Sequence, residues 1–454
     1  MINRTTEIKQ LQKWYDSEAS QLLLVYGNSR SEKEQLLAAF CKGKPTLYFR
    51  VRNASLEKQR KLLAAEIERQ YGISLVDDSY EECFRSIRGQ EGVKLVVVID
   101  EIAGIVKKDP AFLDSIIQLK KGQLYKGDVL ILLTTSSLTW VRKDMETAFA
   151  KNLSVVDEMM ELADLSFLDV VRSLPDYSVA EAVQTYGIIG GVPAYLDRWD
   201  GSKTVKENVC SLFLDPHGLL HDEAETFISS ELRELSVYDT ILSTMAAGNE
   251  KLNDLYQETG YSRAKISVYL KNLAMFDVVE KVVSFETGGW ENTKKGIYRI
   301  KNHFVNFWFR FVYPHLSDAY WMEKETFFDT YIVPGLDVYL RRYFVDVCKE
   351  YLALLNRVGK VPIRIRKMGT WIGKQGTIDV VGQDAVRDCV VGVTNWDAPA
   401  MTFDRYVQLL SDLQSARIHA KTVYLFSATS FDEKLVELEK DGSASVVLVD
   451  MTEL

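Results

Sequence analysis

Residues 22–37 read Leu22-Leu23-Leu24-Val25-Tyr26-Gly27-Asn28-Ser29-Arg30-Ser31-Glu32-Lys33-Glu34-Gln35-Leu36-Leu37, and their order decides the fold. Five apolar residues in a row predict a short buried strand, Gly27 ends it, and a helix-forming run follows. A strand, a glycine-bearing loop and a helix N-terminus are what a phosphate-cradling loop of the form GxxxxGK[ST] needs, because loop N–H groups and the helix dipole then converge on one anion. Gly27 and Lys33 stand where the first glycine and the lysine belong, whereas Glu32 replaces the second glycine and Glu34 the hydroxyl that would ligate magnesium. Two like charges about 4 Å apart repel by about 4 kcal/mol at an effective dielectric near 20, so carboxylates at both positions oppose a bound triphosphate. Two readings stay open: a working site held by Lys33, or an inert turn on an inherited scaffold.

Outward from this stretch the pattern repeats. Thr46-Leu47-Tyr48-Phe49, the run 95–99 and the run 129–133 are further apolar segments separated by helix-like ones, the signature of a parallel sheet buried on both faces. The third run ends in Asp100-Glu101, as a Walker B strand does: Asp100 would orient the magnesium sphere and Glu101 would activate an attacking water. The fourth leads into Thr134-Thr135-Ser136-Ser137, where Ser136 is a candidate sensor of the terminal phosphate, although hydroxyl residues there also serve as helix caps.

Length and composition set the frame. At 454 residues the chain exceeds one hydrophobic core and predicts about three units. With 47% hydrophobic and 26% charged residues it reads as ordinary globular protein, and a net charge of −9 means that any contact with nucleic acid needs a local basic face. No run approaches the roughly 18 apolar residues of a membrane span, no export signal opens the sequence, and five scattered cysteines point to neither disulfides nor zinc. The expected setting is the cytoplasm, with no membrane contact and no metal cluster.

After residue 162 the pattern turns helical as far as 234, interrupted at Gly190-Gly191-Val192-Pro193, and this stretch reads as a helical lid. Helical stretches at about 235–247, 251–258 and 262–275, then strands at 278–283 and 296–300, give the order of a winged helix-turn-helix. In its third helix Ser262 is a cap and Ile266, Leu270 and Leu273 face the core, leaving Arg263, Lys265 and Lys271 for solvent or phosphate. Over 262–301 eight basic residues, Lys294 and Lys295 among them, stand against four acidic ones, which suits DNA; the alternative use of such a module is domain packing. The aromatic run 303–311 reads as packing between domains. From about 329 a long helix precedes strands expected at 361–366, 377–381, 389–393, 422–426 and 444–449, a second α/β domain.

Several of these segments, in order, resemble the archaeal-type ATPases, a AAA+/STAND family. Ile2-Asn3-Arg4 with Glu7 and Leu11 is similar to that family's opening element; the loop at 27–34, Ile99-Asp100-Glu101, Thr135-Ser136-Ser137 and Gly190-Gly191-Val192-Pro193-Ala194-Tyr195-Leu196 fall where its phosphate loop, Walker B, sensor and lid motifs fall. The resemblance implies ATP and Mg2+ as cofactors and places Pro193 against the adenine. The C-terminal segment resembles the PD-(D/E)xK, restriction-endonuclease-like domain that closes many such chains; Asp379 keeps its first acid, but Val393 and Asn395 stand where Glu and Lys would be, and Asp346 lies one position from the helical acid.

The expected architecture is thus a P-loop NTPase core of AAA+ type (1–162), a helical lid (163–234), a winged helix-turn-helix with aromatic linker (235–320) and a nuclease-like α/β domain without nuclease activity (321–454). The functional expectation is a non-hydrolysing, DNA- or protein-binding regulator or scaffold whose remnant nucleotide site (Gly27, Lys33, Asp100, Glu101, Ser136, Pro193) holds ATP and Mg2+ weakly or not at all. DNA would bind through the winged helix, with a protein partner or self-association as further partners. The alternatives are an ATP-binding switch with weak ATPase activity and, less favoured, an active nuclease.

Overall fold

A computed structural model of the chain describes residues 4–106, 108–286, 296–374, 376–442 and 445–454. Contacts group the chain into two compact units: the first runs to Asp164 and includes Val192–Asp197, and the second comprises Leu165–Gly191 and Arg198–Leu454. The stretch expected to form one lid, 163–234, is divided between them.

In the first unit, strands β1 (Gln21–Tyr26), β2 (Thr46–Arg50), β3 (Leu95–Asp100), β4 (Val129–Thr135) and β5 (Glu158–Glu161) form a sheet in the order β2-β3-β4-β1-β5, parallel throughout. Every residue of β3 and β4 is buried, which is why both read as unbroken apolar runs rather than alternating ones. Leu23 and Val25 of β1 face the helices α1 (Thr5–Tyr15) and α2 (Lys33–Cys41), through Leu11, Leu36, Leu37 and Phe40. Leu22 and Leu24 face the opposite layer, where α3 (Leu56–Tyr71) and α4 (Tyr80–Arg85) bring Leu63, Ile67 and Phe84. Because β4 lies between β1 and β3, the loops leaving β1 and β3 flank its carboxyl end, the place where open α/β sheets bind ligands.

The second unit opens with two helices, Phe167–Ser173 and Val179–Ile189, each started by a reciprocal capping box: Ser166 with Asp169 and Ser178 with Glu181. Helices Leu235–Ala246, Leu252–Thr259 and Arg263–Met275 are followed by the antiparallel pair β6 (Val279–Val282) and β7 (Ile297–Ile300), the expected order of three helices and a hairpin. The aromatic run packs inside this unit, with the Phe307 and Phe311 rings 6.0 and 5.2 Å from that of Tyr339 on the long helix Val333–Arg357.

The C-terminal sheet contains β8 (Lys367–Ile372), β9 (Thr377–Gln383), β10 (Cys389–Asn395), β12 (Ala420–Ser427) and β14 (Val446–Asp450), in the order β14-β12-β10-β9-β8; β11 (Ala400–Met401) and β13 (Ser430–Phe431) pair separately. β10, β12 and β14 run parallel, β9 pairs antiparallel with β10, and β8 pairs antiparallel with β9. One face is covered by Tyr406, Leu409 and Leu413 of the helix Phe403–Ala416, and the long helix sets Phe344 against Trp396 and Tyr351 against Phe426.

One expected strand is corrected. Residues 361–366 form no strand; pairing with β9 begins at Lys367. Pro362 has no N–H to give a ladder, and the Asn356 side chain takes both backbone groups of Ile365, donating to its carbonyl (3.0 Å) and accepting its N–H (2.9 Å).

Candidate nucleotide site and nucleic-acid surface

Gly27 leaves β1 where nothing larger fits: a Cβ there would lie 2.7 Å from the Leu162 carbonyl oxygen. Asn28 turns the loop by accepting the Arg30 N–H (2.8 Å). At the far end Glu32 adopts left-handed geometry, φ 58° and ψ 38°, immediately before α2. That backbone is one a glycine takes freely and a glutamate takes at a cost of about 1–2 kcal/mol. The loop therefore retains the geometry of the missing glycine while carrying a carboxylate.

Lys33 does not reach outward. Only 5% exposed, its ammonium donates to the carbonyls of Gly27 (2.8 Å) and Asn28 (3.0 Å) and lies 3.5 Å from the Ser31 hydroxyl. Burial pulls its pKa down to about 8, against the pull of Glu101, Asp100 and Glu34, so it is charged at neutral pH. A phosphate arriving here must first take these protons from the loop.

Asp100 is 2% exposed and already surrounded: it accepts from the hydroxyls of Thr134 and Tyr48 (2.8 Å for Tyr48), and the Arg50 guanidinium stands 3.6 Å away. Arg50 also pairs with Glu34, so one guanidinium links the two side chains at the positions where a P-loop site uses its metal-ordering groups. Register explains the meeting, since Arg50 is the β2 partner of Asp100 on β3. Next to it Glu101, also left-handed at φ 59°, accepts from the Ser136 N–H (3.1 Å) and hydroxyl. The base and sensor candidates thus occupy one another, while Ser137 caps the following helix by accepting the Trp140 N–H.

Pro193 starts the short helix Pro193–Leu196 and is buried; the next residue, Ala194, donates its N–H to the Arg30 carbonyl (3.3 Å), tying this segment to the loop. The same segment brings Asp197 to Glu32. Burial and then the Asp197 carboxyl raise the Glu32 pKa from 4.5 to about 7. The sign follows: between these values the folded chain holds a proton that the unfolded chain has lost, so this contribution to stability is full below about 4.5 and disappears as pH rises through about 7. Glu32→Gln is expected to remove that slope and to be the more stable protein above it, which denaturant titrations on either side of the window will read. Parallel curves for the two proteins would show that Glu32 keeps an ordinary carboxyl.

Gly27, Lys33, Asp100, Glu101, Ser136 and Pro193 all lie in the first unit. Tyr48, Arg50 and Asp197, which no sequence motif marks, join them, as do Arg4 of the opening element and Thr134 of the sensor stretch. Arg4, 3% exposed, pairs with Glu7 (3.0 Å) and approaches the Ser31 carbonyl (3.4 Å), and its opening element was the available signal. Tyr48 and Arg50 had none until the strand order placed β2 beside β3.

In the second unit Ser262 caps its helix by accepting the Lys265 N–H (3.2 Å), Ile266, Leu270 and Leu273 are buried, and Arg263, Lys265 and Lys271 are exposed. Arg263 donates to Asn253 (2.6 Å) and lies over the Tyr256 ring (4.0 Å); Lys265 lies over Tyr261 (4.3 Å). Lys294 and Lys295 lie outside the described residues. Arg299 and Lys301 are paired with Glu280 and Asp277, so those two add little to the basic surplus counted over 262–301.

Asp379 is half-buried, accepting from the Thr394 N–H (2.9 Å) and hydroxyl (3.1 Å), while the Asn395 amide donates to Ala398, Ser427 and Thr429. Among the described residues no group of three or more His, Cys, Asp or Glu side chains is arranged to hold a metal, and no helix is long and apolar enough to cross a membrane.

A parallel sheet with a phosphate-loop junction after β1 and an acid-ended β3 defines a P-loop ATPase fold of the AAA+ type. Residues 1–198 match the family described as "ATPase domain predominantly from Archaea", and residues 308–398 the family described as "Archaea bacterial proteins of unknown function". The first 198 residues of the chain are thus an ATPase domain of this archaeal type. It is 24% identical over 385 residues to an uncharacterized protein of Methanocaldococcus jannaschii, covering 84% of this chain and 83% of that one. Among solved structures it is similar to the Walker-type ATPase of Pyrococcus abyssi (TM-score 0.48, 17% identity, 68% of this chain and 96% of that). It is also similar to the ORC2 protein of Aeropyrum pernix (TM-score 0.45, 12% identity, 70% and 94%).

Proposed function

We propose that this chain is a degenerate, non-hydrolysing member of its family, acting as a DNA-binding regulator or scaffold. The observation that carries the reading is that the nucleotide site is satisfied by its own side chains: Lys33 by the loop carbonyls, and Asp100 and Glu34 through Arg50. The family implies ATP with Mg2+, but Glu34 brings negative charge and Glu32 a carboxyl group where phosphate would lie, and Arg50 brings a positive charge where the cation would. As arranged, these residues do not fit Mg-ATP.

The exposed Arg263, Lys265 and Lys271 support the DNA half of the reading, because three cations on one helix beside the Tyr256 and Tyr261 rings suit a phosphate backbone. Millimolar Mg-ATP is expected to leave the melting temperature of the wild-type protein unchanged. Duplex DNA is expected to bind with a steep salt dependence that weakens in Arg263→Ala/Lys265→Ala/Lys271→Ala. A Mg-ATP shift that disappears in Lys33→Ala would replace this reading with an ATP-binding switch, which the glycine-like backbone at Glu32 favours.

A further inference from the structure

Between the end of the long helix and the start of β8 the second unit holds a cleft of about 1020 Å³ whose lining includes Arg357, Arg364 and Arg366 and no carboxylate. From 357 to 367 the chain has five basic residues and no acidic one, in a protein whose net charge is −9. Several other surface cations of this unit are matched, as in Arg341 with Asp397, Lys421 with Asp388 and Lys206 with Asp329. Arg357, Lys360, Arg364 and Arg366 are exposed and belong to no described ion pair. Asp384 follows the residue whose carbonyl receives the Arg366 N–H, yet its carboxylate is turned to the N–H groups of Val386 and Asp388 (both 2.9 Å).

The cleft is built, not a loose tail. Asn356 clamps both backbone groups of Ile365, Arg366 donates its N–H to Gln383 (2.8 Å), and Val361 and Ile363 are buried while Pro362, Arg364 and Arg366 face out. That alternation puts Arg364 and Arg366 on the same outward side of the segment. Guanidinium groups carried on this anchored backbone match phosphate oxygens in a planar, two-pronged manner that lysine cannot. The cleft lies at the Gln383 end of β9, roughly 13 Å along the strand from Asp379, so it is not the nuclease remnant.

We infer that this arginine cleft is a second nucleic-acid site, one that grips the phosphate backbone of duplex DNA independently of the helix carrying Arg263. The test uses the full-length protein and fluorescence anisotropy of a short labelled duplex. In Arg357→Ala/Arg364→Ala/Arg366→Ala, affinity at low salt is expected to fall at least about tenfold and the salt slope to drop by about 2.7, at roughly 0.9 for each phosphate no longer neutralised. Run in parallel, Arg263→Ala/Lys265→Ala/Lys271→Ala separates the two surfaces: a loss confined to that variant removes the cleft and leaves the winged-helix reading, whereas a loss confined to the arginine variant does the reverse. Unchanged affinity and slope in the arginine variant, or no wild-type binding, overturns the inference. So does polyglutamate that outcompetes the duplex on wild-type protein and binds it only when the three arginines are present, since the occupant would then be an acidic protein.

Discussion

A chain carrying Glu32→Gly together with Glu34→Thr is expected to gain what the wild type lacks: stabilisation by Mg-ATP, of about 2.7 kcal/mol once the nucleotide reaches 100 times its dissociation constant. The backbone is already suited to the change, since Glu32 holds the left-handed φ of 58° that glycine adopts without cost. Removing its carboxylate also ends the repulsion that Asp197 exerts on it. The Glu34→Thr change supplies a hydroxyl where magnesium needs one and frees Arg50 from Glu34, leaving Asp100 as that arginine's acidic partner. Arg50→Ala added to the pair should strengthen the response further, because a guanidinium and a divalent cation then no longer compete for Asp100. Thermal unfolding of the three proteins with and without Mg-ATP decides the matter. If wild type and double variant shift equally, the carboxylates are tolerated; if neither shifts, the ammonium of Lys33 turned into its own loop is block enough.

These expectations rest on features that were unequally legible in the sequence. The strand before Gly27, the Asp100-Glu101 ending of β3 and the buried Ile266, Leu270 and Leu273 stripe are local patterns, set by burial over one element, and each stands where the sequence placed it. Arg50 shows the opposite case: nothing within ten residues of it marks a site, and it joins Glu34 to Asp100 only because β2 lies next to β3. The misplaced strand has the same origin. Val361, Ile363 and Ile365 alternate as a strand should, but a strand needs a partner, and β9 pairs from Lys367 onward while Asn356 holds Ile365. What the sequence could not display was long-range pairing and the side-chain claims made on it.

The paired glycines at 190 and 191 look in the sequence like one helix stop, and in the fold they separate into two different requirements. Gly190 ends the helix Val179–Ile189 at φ 65° and ψ −160°, a backbone that side chains rarely adopt, and a Cβ there would meet only the His303 ring at an ordinary 3.4 Å. Gly191 has no such angle. A Cβ on it would lie 1.8 Å from the Leu165 carbonyl oxygen and 2.6 Å from its carbon, and the same two residues are joined by the Leu165 N–H to Gly191 carbonyl bond of 2.7 Å. The two stretches of chain cannot part to admit a methyl group without breaking that bond. Gly190→Ala should therefore cost the strain of one unusual backbone, about 1–3 kcal/mol. Gly191→Ala should exceed it, at more than about 4 kcal/mol, in the range reached by overpacking against fixed backbone. Denaturant titration of the two single variants will rank them, and a Gly191→Ala protein no less stable than Gly190→Ala would mean that Leu165 yields where the hydrogen bond says it cannot.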